Sequence, residues 1–264
     1  MCGGRGTRLG GDAEKPLTTV AGRPMVDRVL AALAESRIES VCAVVSPHAT
    51  ATRAHLAERA PSREDADTGL RLVDAPGDGY VSDLRYALDG DDSVDAETAA
   101  DPDTPTADPP VLTVAADLPL LDGEAVDRVL DAAAAAESPS LTVCVPAVRK
   151  RELGVSADGA FEVDGRAVVP AGINVVGVSD GSGPDADGSG PDADGSAPDA
   201  DGSAPDAGGD ATDDPDAGGD AVDRDGAPDD ETLLTDDRRL AVNVNYPSDV
   251  RIAEALLAEG QTTH

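Results

Sequence analysis

Gly3, Gly4 and Gly6 fall within four positions at the start of the chain, with Arg5, Arg8 and Lys15 among them or close behind. Glycine tolerates the positive φ of a tight turn, so such a run can aim successive backbone N–H groups at one anion. The arginines and the lysine set positive charge beside that turn, which makes phosphate the expected guest. In a plain surface turn the same residues would be solvated cations and nothing more. The segment gains weight from Glu14-Lys15-Pro16-Leu17 just behind it and from Gly22-Arg23-Pro24-Met25 after that.

Two further groups can join this loop. Asp117 follows the apolar run Val111-Leu112-Thr113-Val114-Ala115. A carboxylate at a strand end is often only a turn former. Facing phosphates, it would hold a divalent ion that bridges their oxygens. Asn243 and Asn245 lie in a segment read as a strand over 240–244, where alternate residues project to one face. Their amide oxygens suit a hard cation or a nucleotide; a simple turn before a Ser248-capped helix is the other reading.

The elements that must position these residues follow from apolar spacing. Helices are expected over 25–33, 52–59, 80–88, 123–136 and 248–259. Strands are expected over 41–45, 70–73, 111–115, 141–145 and 240–244. Val168, Val169 and residues 173–178 should be extended around Pro170-Ala171-Gly172. Strand–helix alternation predicts a single α/β domain over 1–264, with a Rossmann-like, mostly parallel sheet and helices on both faces. Ligands gather at the carboxyl ends of such strands. A phosphate loop normally leaves a buried parallel strand, so a strand ahead of Met1 is also expected.

Composition restricts the partners. The 264 residues carry 53 acidic and 20 basic side chains, a formal charge of -33. Residues 180–231 hold 18 of the acids and one arginine, in repeats such as DGSGPDA and DGSAPDA. They lack the apolar positions of a core and read as a disordered insert. Residues 89–110 read as a second acidic, Pro-rich loop insert. Abundant Asp, only two lysines (Lys15 and Lys150) and almost no aromatics suggest a cytoplasm of very high salt, as in a halophilic archaeon. The net field disfavours nucleic acid as a partner, and no apolar run is long enough for a membrane span. Cys2, Cys42 and Cys144 form no CxxC pair; Cys42 and Cys144 sit in apolar runs and read as buried. His48, His55 and His264 make no ligand pattern.

The run GGRGTRLGG followed by EKPL and VAGRPM resembles the signature of nucleotidyltransferases that activate sugar phosphates, pterins and related acceptors. Gly77 to Asp83, Ala116-Asp117-Leu118 and especially Val169-Pro170-Ala171-Gly172-Ile173-Asn174-Val175-Val176 resemble the archaeal GTP:adenosylcobinamide-phosphate guanylyltransferases. These belong to the molybdenum-cofactor-guanylyltransferase-like superfamily. That resemblance implies attack of adenosylcobinamide phosphate on the α-phosphorus of GTP, giving adenosylcobinamide-GDP and pyrophosphate. It implies Arg5, Arg8 and Lys15 as catalytic residues on the triphosphate, and Asp117 with Asn243 or Asn245 as ligands of Mg2+. It further implies Gly3, Gly4, Gly6, Thr7, Gly79, Asp83, Gly172 and Asn174 as nucleotide-binding, the last two at the nucleotide or corrinoid pocket. A molybdenum cofactor guanylyltransferase, a sugar-phosphate nucleotidyltransferase and a non-catalytic nucleotide-binding scaffold remain as alternatives.

Loop closure costs grow only slowly with length. Deleting residues 181–230 is therefore expected to leave turnover largely intact, and a steady-state assay of the shortened protein checks this.

Overall fold

Two Xaa-Gly pairs set the chain's tightest reversals. Ala21 and Gly22 have φ of 48° and 75°, and Asp164 and Gly165 repeat that pair of values. Two positive φ values in succession make the turn whose twist matches two antiparallel strands. The first turn joins β1 (Thr19–Val20) to β2 (Arg23–Pro24), and the second joins β7 (Phe161–Val163) to β8 (Arg166–Val176). These belong to a computed structural model that describes residues 1–2, 7–10, 13–59, 69–89, 110–177 and 231–261. Gly3, Gly4, Arg5, Gly6, nearly all of the 89–110 insert and all of 180–231 except Glu231 lie outside the described residues, as does the side chain of Thr7.

The remaining elements, in chain order, are α1 (Met25–Ala34), β3 (Val41–Val45), α2 (Thr50–Ala57), β4 (Leu70–Asp74) and α3 (Tyr80–Asp89). Then come β5 (Val111–Val114), α4 (Gly123–Ala135), β6 (Leu141–Pro146) and α5 (Ala147–Leu153), and, beyond β8, β9 (Glu231–Leu234), α6 (Arg238–Ala241) and α7 (Pro247–Gln261). The α/β class is the one expected. The five-stranded sheet, ordered β5-β8-β6-β9 with β7 on β8, is mixed rather than mostly parallel. β8 runs antiparallel to β5, β6 and β7, while β6–β9 is a parallel pair. β3 and β4 form a separate parallel pair. The Asp164-Gly165 hairpin reverses the chain immediately before β8, and that reversal makes its neighbours antiparallel.

Three expectations are corrected. The segment expected as a strand over 240–244 ends α6 and continues without a ladder through Asn245. Arg239 and Asp237 account for the difference: Asp237 accepts from the Arg239 amide at 3.0 Å and starts a helix there. Ser248 does not cap α7, which starts one residue earlier at Pro247. Asp249 caps it instead, accepting from the amides of Asn245 and Tyr246 at 2.9 Å each. Cys42 is exposed whereas Cys2 and Cys144 are buried. Its position on β3 borders a cavity of about 580 Å³ between β3 and β5, with Val29, Leu33, Leu84 and Leu112 also in its walls. The Cys2 amide donates to Val44 O and the Met1 amino group to Val114 O, each at 2.9 Å, so these two residues stand between the facing strands.

α1 joins the three apolar clusters. Val29 and Leu33 pack with Val126, Val129, Val143 and Ile173; Val26 packs with Ala43, Val45 and Leu56; Met25 packs with Val20, Val242 and Val244. Full burial of side chains of this size contributes roughly 1.5–3 kcal/mol each. α2 has no cap of its own: Ala49 precedes it. Glu14, from the Glu14-Lys15-Pro16-Leu17 turn, supplies the missing acceptor to Ala51 N at 2.9 Å and Thr52 N at 2.7 Å. Burial opposes ionisation of Glu14, but the hydrogen bonds from Thr52 and Ala51 outweigh it and lower its pKa.

Replacing Glu14 with Gln should destabilise the fold by about 1 kcal/mol, the usual loss for a cap. A carboxyl with a lowered folded-state pKa stabilises fully above its unfolded pKa and loses that effect as pH falls through the folded value. The stability gap between wild type and Glu14→Gln, measured by urea unfolding, is therefore expected at neutral pH and should close in the acid range.

Candidate active site

Lys15 opens a 3-10 turn, Lys15–Leu17, whose second residue, Pro16, is buried. Proline's fixed φ and the Glu14 cap hold the turn, and Lys15 reaches inward from it. Its Nζ donates to Asp117 Oδ2 at 2.6 Å and to Asn245 Oδ1 at 2.8 Å. Both side chains of the Lys15–Asp117 pair are largely buried. Asp117 arrives from the loop after β5 and is held by its backbone: Val244 N donates to Asp117 O at 3.0 Å. Three segments far apart in sequence meet at one ammonium group.

The other oxygen of Asp117, Oδ1, is buried and accepts no hydrogen bond. Magnesium takes oxygen ligands, keeps several waters, and is usually held by one or two carboxylates together with substrate phosphates. An orphan carboxylate oxygen, with Asp117 Oδ2 and Asn245 Oδ1 already converging on a cation, fits that chemistry. Asp117 and Asn245 are the residues that would hold such an ion. Among the described residues no group of three or more His, Cys, Asp or Glu side chains forms an alternative cluster.

Asn243 has a different position from Asn245. It is buried, its Nδ2 donates to Ala171 O at 2.9 Å, and its Oδ1 accepts from Lys150 Nζ at 2.9 Å. Both amide oxygens thus meet an ammonium, Asn243 that of the buried Lys150 and Asn245 that of Lys15, which lines the pocket with Asp117. Lys150 is itself 2 % exposed and also donates to Ala241 O at 2.9 Å. Burial lowers its pKa, and the nearby charges of Asp117, Asp249 and Asp158 oppose that shift.

Gly172 explains how β8 passes this close. Thr142 of β6 faces Asn174 of β8, yet Cys144 faces Pro170, so β8 bulges over Ala171–Ile173. Gly172 takes φ 78° there, and a Cβ at this position would stand 3.1 Å from both Ala115 Cβ and Asn243 Nδ2. Asp117 Oδ1 lies 3.9 Å from the same point. Asn174, expected at the ligand pocket with Gly172, sits within the sheet opposite Thr113 and Thr142.

A pocket of about 410 Å³ opens beside Lys15 and Asp117, with Ser46, His48, Gly79, Tyr80 and Asp83 in its wall. Asp83, in the first turn of α3, accepts from the Gly77 amide at 2.8 Å, which folds the Gly77–Gly79 loop over the pocket. Gly77 and Gly79 have φ of 86° and 110°, where a side chain is strained. Tyr80 donates to Thr113 Oγ1 at 3.3 Å and leaves half of its surface exposed. Arg8 stands apart from the pocket, exposed and 3.8 Å from Asp158. Asp158 also accepts from the Tyr246 hydroxyl at 2.7 Å, a bond that raises the tyrosine pKa.

Sequence reasoning thus missed Lys150, the Glu14 cap and the Asp249 anchor. Lys150 had one legible signal: Ala147, Lys150 and Leu153 recur at helical spacing on α5, which puts a lysine where an apolar residue belongs.

The chain is 26% identical over 186 residues to the adenosylcobinamide-phosphate guanylyltransferase of Methanocaldococcus jannaschii, covering 69% of this chain and 80% of that one. It is 30% identical over 131 residues to the bifunctional protein GlmU of Bifidobacterium longum subsp. infantis, half of this chain and 25% of that one. Among solved structures, a hypothetical transferase of Thermus thermophilus aligns with TM-score 0.40 and 20% identity over 63% of this chain and 58% of its own. A CMP:2-keto-3-deoxy-manno-octonic acid synthetase complexed with CTP aligns with TM-score 0.37 and 16% identity over 64% and 70%. The family model of the MobA-like NTP transferase domain matches residues 1–169, so the chain belongs to that family and is a nucleotidyltransferase.

Proposed function

We propose that this protein transfers GMP from GTP to adenosylcobinamide phosphate, releasing pyrophosphate, in assembly of the cobalamin nucleotide loop. The similarity to the Methanocaldococcus jannaschii guanylyltransferase supports the acceptor and the base. The observation that carries the chemistry is the convergence of Lys15, Asp117 and Asn245 beside a pocket roofed by the Gly77–Gly79 loop.

A phosphate acceptor is already a nucleophile, so the protein's task is placement and charge stabilisation. The bond from an acceptor oxygen to the α-phosphorus forms as the bond from that phosphorus to the bridging oxygen of pyrophosphate breaks, and its electron pair leaves with the pyrophosphate. Lys15 exchanges its contacts with Asp117 and Asn245 for the triphosphate, and Arg8, exposed and only loosely paired, swings from Asp158 to the same charge. Arg5 and the Gly3–Gly6 backbone join them in this reading. Asp117 and Asn245 would hold Mg2+, which would supply neutralisation of the phosphate charge. The nucleoside lies in the pocket wall formed by Gly79, Tyr80 and Asp83, and the acidic surface is matched to a high-salt cytoplasm.

The test is pyrophosphate release in concentrated potassium chloride from GTP, ATP, CTP and UTP, each offered cobinamide phosphate, molybdopterin or sugar phosphates. Turnover confined to GTP with cobinamide phosphate is expected. Preference for another acceptor replaces the substrate assignment, and GTP binding without turnover on any acceptor favours the scaffold. Lys15→Ala and Asp117→Asn should each lower kcat about 100- to 1000-fold, the scale for removing one preorganised electrostatic contact. Circular dichroism should show both variants folded.

A further inference from the structure

We propose that Lys150 is a positioning residue of the metal–triphosphate site, fixing through Asn243 the segment that presents Asn245 to Asp117. This rests on the nucleotidyl-transfer reading above. The chain uses lysine twice in 264 residues, and both lysines stand at this one site. Lys15 faces the ligand side. Lys150 stands behind it on the buried face of α5, its ammonium joined to Ala241 O and Asn243 Oδ1.

An ammonium is a costly choice for a core. A buried lysine must be desolvated, and an apolar side chain of equal volume would fill the place with less loss. What Lys150 provides instead is direction. Residues 241–245 have no strand ladder, so their course depends on individual contacts: Lys150 at Ala241 and Asn243, the Val244 amide on Asp117 O, and Asp249 on the Asn245 amide. Asn243 then passes the restraint across to Ala171 O, next to the Gly172 bulge that borders Asp117 Oδ1. Lys150 therefore secures both supports of the cation position, the Asn245 carbonyl and the Asp117 carboxylate. It is buried and does not line the pocket beside Lys15.

Outer contacts of this kind typically change metal affinity or activity about 10- to 100-fold when removed. Lys150→Met should weaken Mn2+ binding in the presence of GTP, followed by electron paramagnetic resonance, by about tenfold or more. It should lower kcat by a similar factor. Because that variant leaves Asn243 Oδ1 buried and unpaired, the double variant Lys150→Met/Asn243→Leu, which removes that orphan and withdraws donors only from the Ala171 and Ala241 carbonyls, separates packing from positioning. The double variant is expected to regain part of the lost thermal stability but not Mn2+ affinity or turnover. Recovery of all three would show that Lys150 only fills the core and would overturn the proposal.

A measurement on the wild-type protein serves where the variants do not fold. Labelling lysine at 13Cε gives two resonances, one per lysine. Adding Mg2+ and GTP should shift both; a shift of Lys15 alone overturns the positioning role. A wild type that binds Mn2+ with GTP yet transfers nothing to any acceptor refutes the proposed function. The resonance and the Mn2+ titration still judge Lys150 in that case.

Discussion

One ammonium group held between a carboxylate and an amide oxygen ties the active end of this fold together. Lys15 is 102 residues from Asp117 and 230 from Asn245 in sequence, so their meeting demands that three distant segments be placed correctly at once. Each is placed by a different device. The Lys15 turn is anchored by Glu14 to the start of α2. The Asp117 loop is anchored by its backbone to Val244 and by Ala115 to the β8 bulge. The Asn245 segment is anchored by Asp249 and Lys150. A polar contact buried to this degree is favourable only while its geometry holds, because an isolated charge in the same place would be strongly penalised.

The division of labour between the two asparagines follows from that arrangement. Asn243 and Asn245 are chemically identical and two residues apart, yet one is enclosed by Lys150 and Ala171 and the other meets Lys15. The difference lies in their partners: Val242 and Val244 pack together with Met25 and Val20, and the amides between and after them, Asn243 and Asn245, each meet a lysine from a different element.

Much of this was legible in the sequence. The apolar periodicity of α1, α3 and α4 and of β3, β5 and β6 located the main elements to within a few residues, because each buries one clear face. Asp117 was readable as a carboxylate just beyond the end of β5 because the run Val111-Leu112-Thr113-Val114-Ala115 stops just before it. The reversal at β8 was less visible: its signal was the Asp164-Gly165 pair, preceded by a strand of only three residues, Phe161–Val163. β9 was hidden because its four residues close an acidic tract and owe their pairing to β6 rather than to their own pattern. The partners of Lys150 and Glu14 were beyond reach, since a hydrogen bond between distant segments leaves no periodicity.

The positions at which the acidic stretches join the sheet carry one more implication. Residues 90–109 rejoin the fold at the start of β5, and residues 178–230 depart after β8 and return at β9, both beside Leu141. All of these junctions are at the margin opposite Asp117, separated from it by the four residues of β5, roughly 13 Å. Changes in the length of either stretch therefore enter the described fold at strand ends that hold none of the three groups meeting at Lys15.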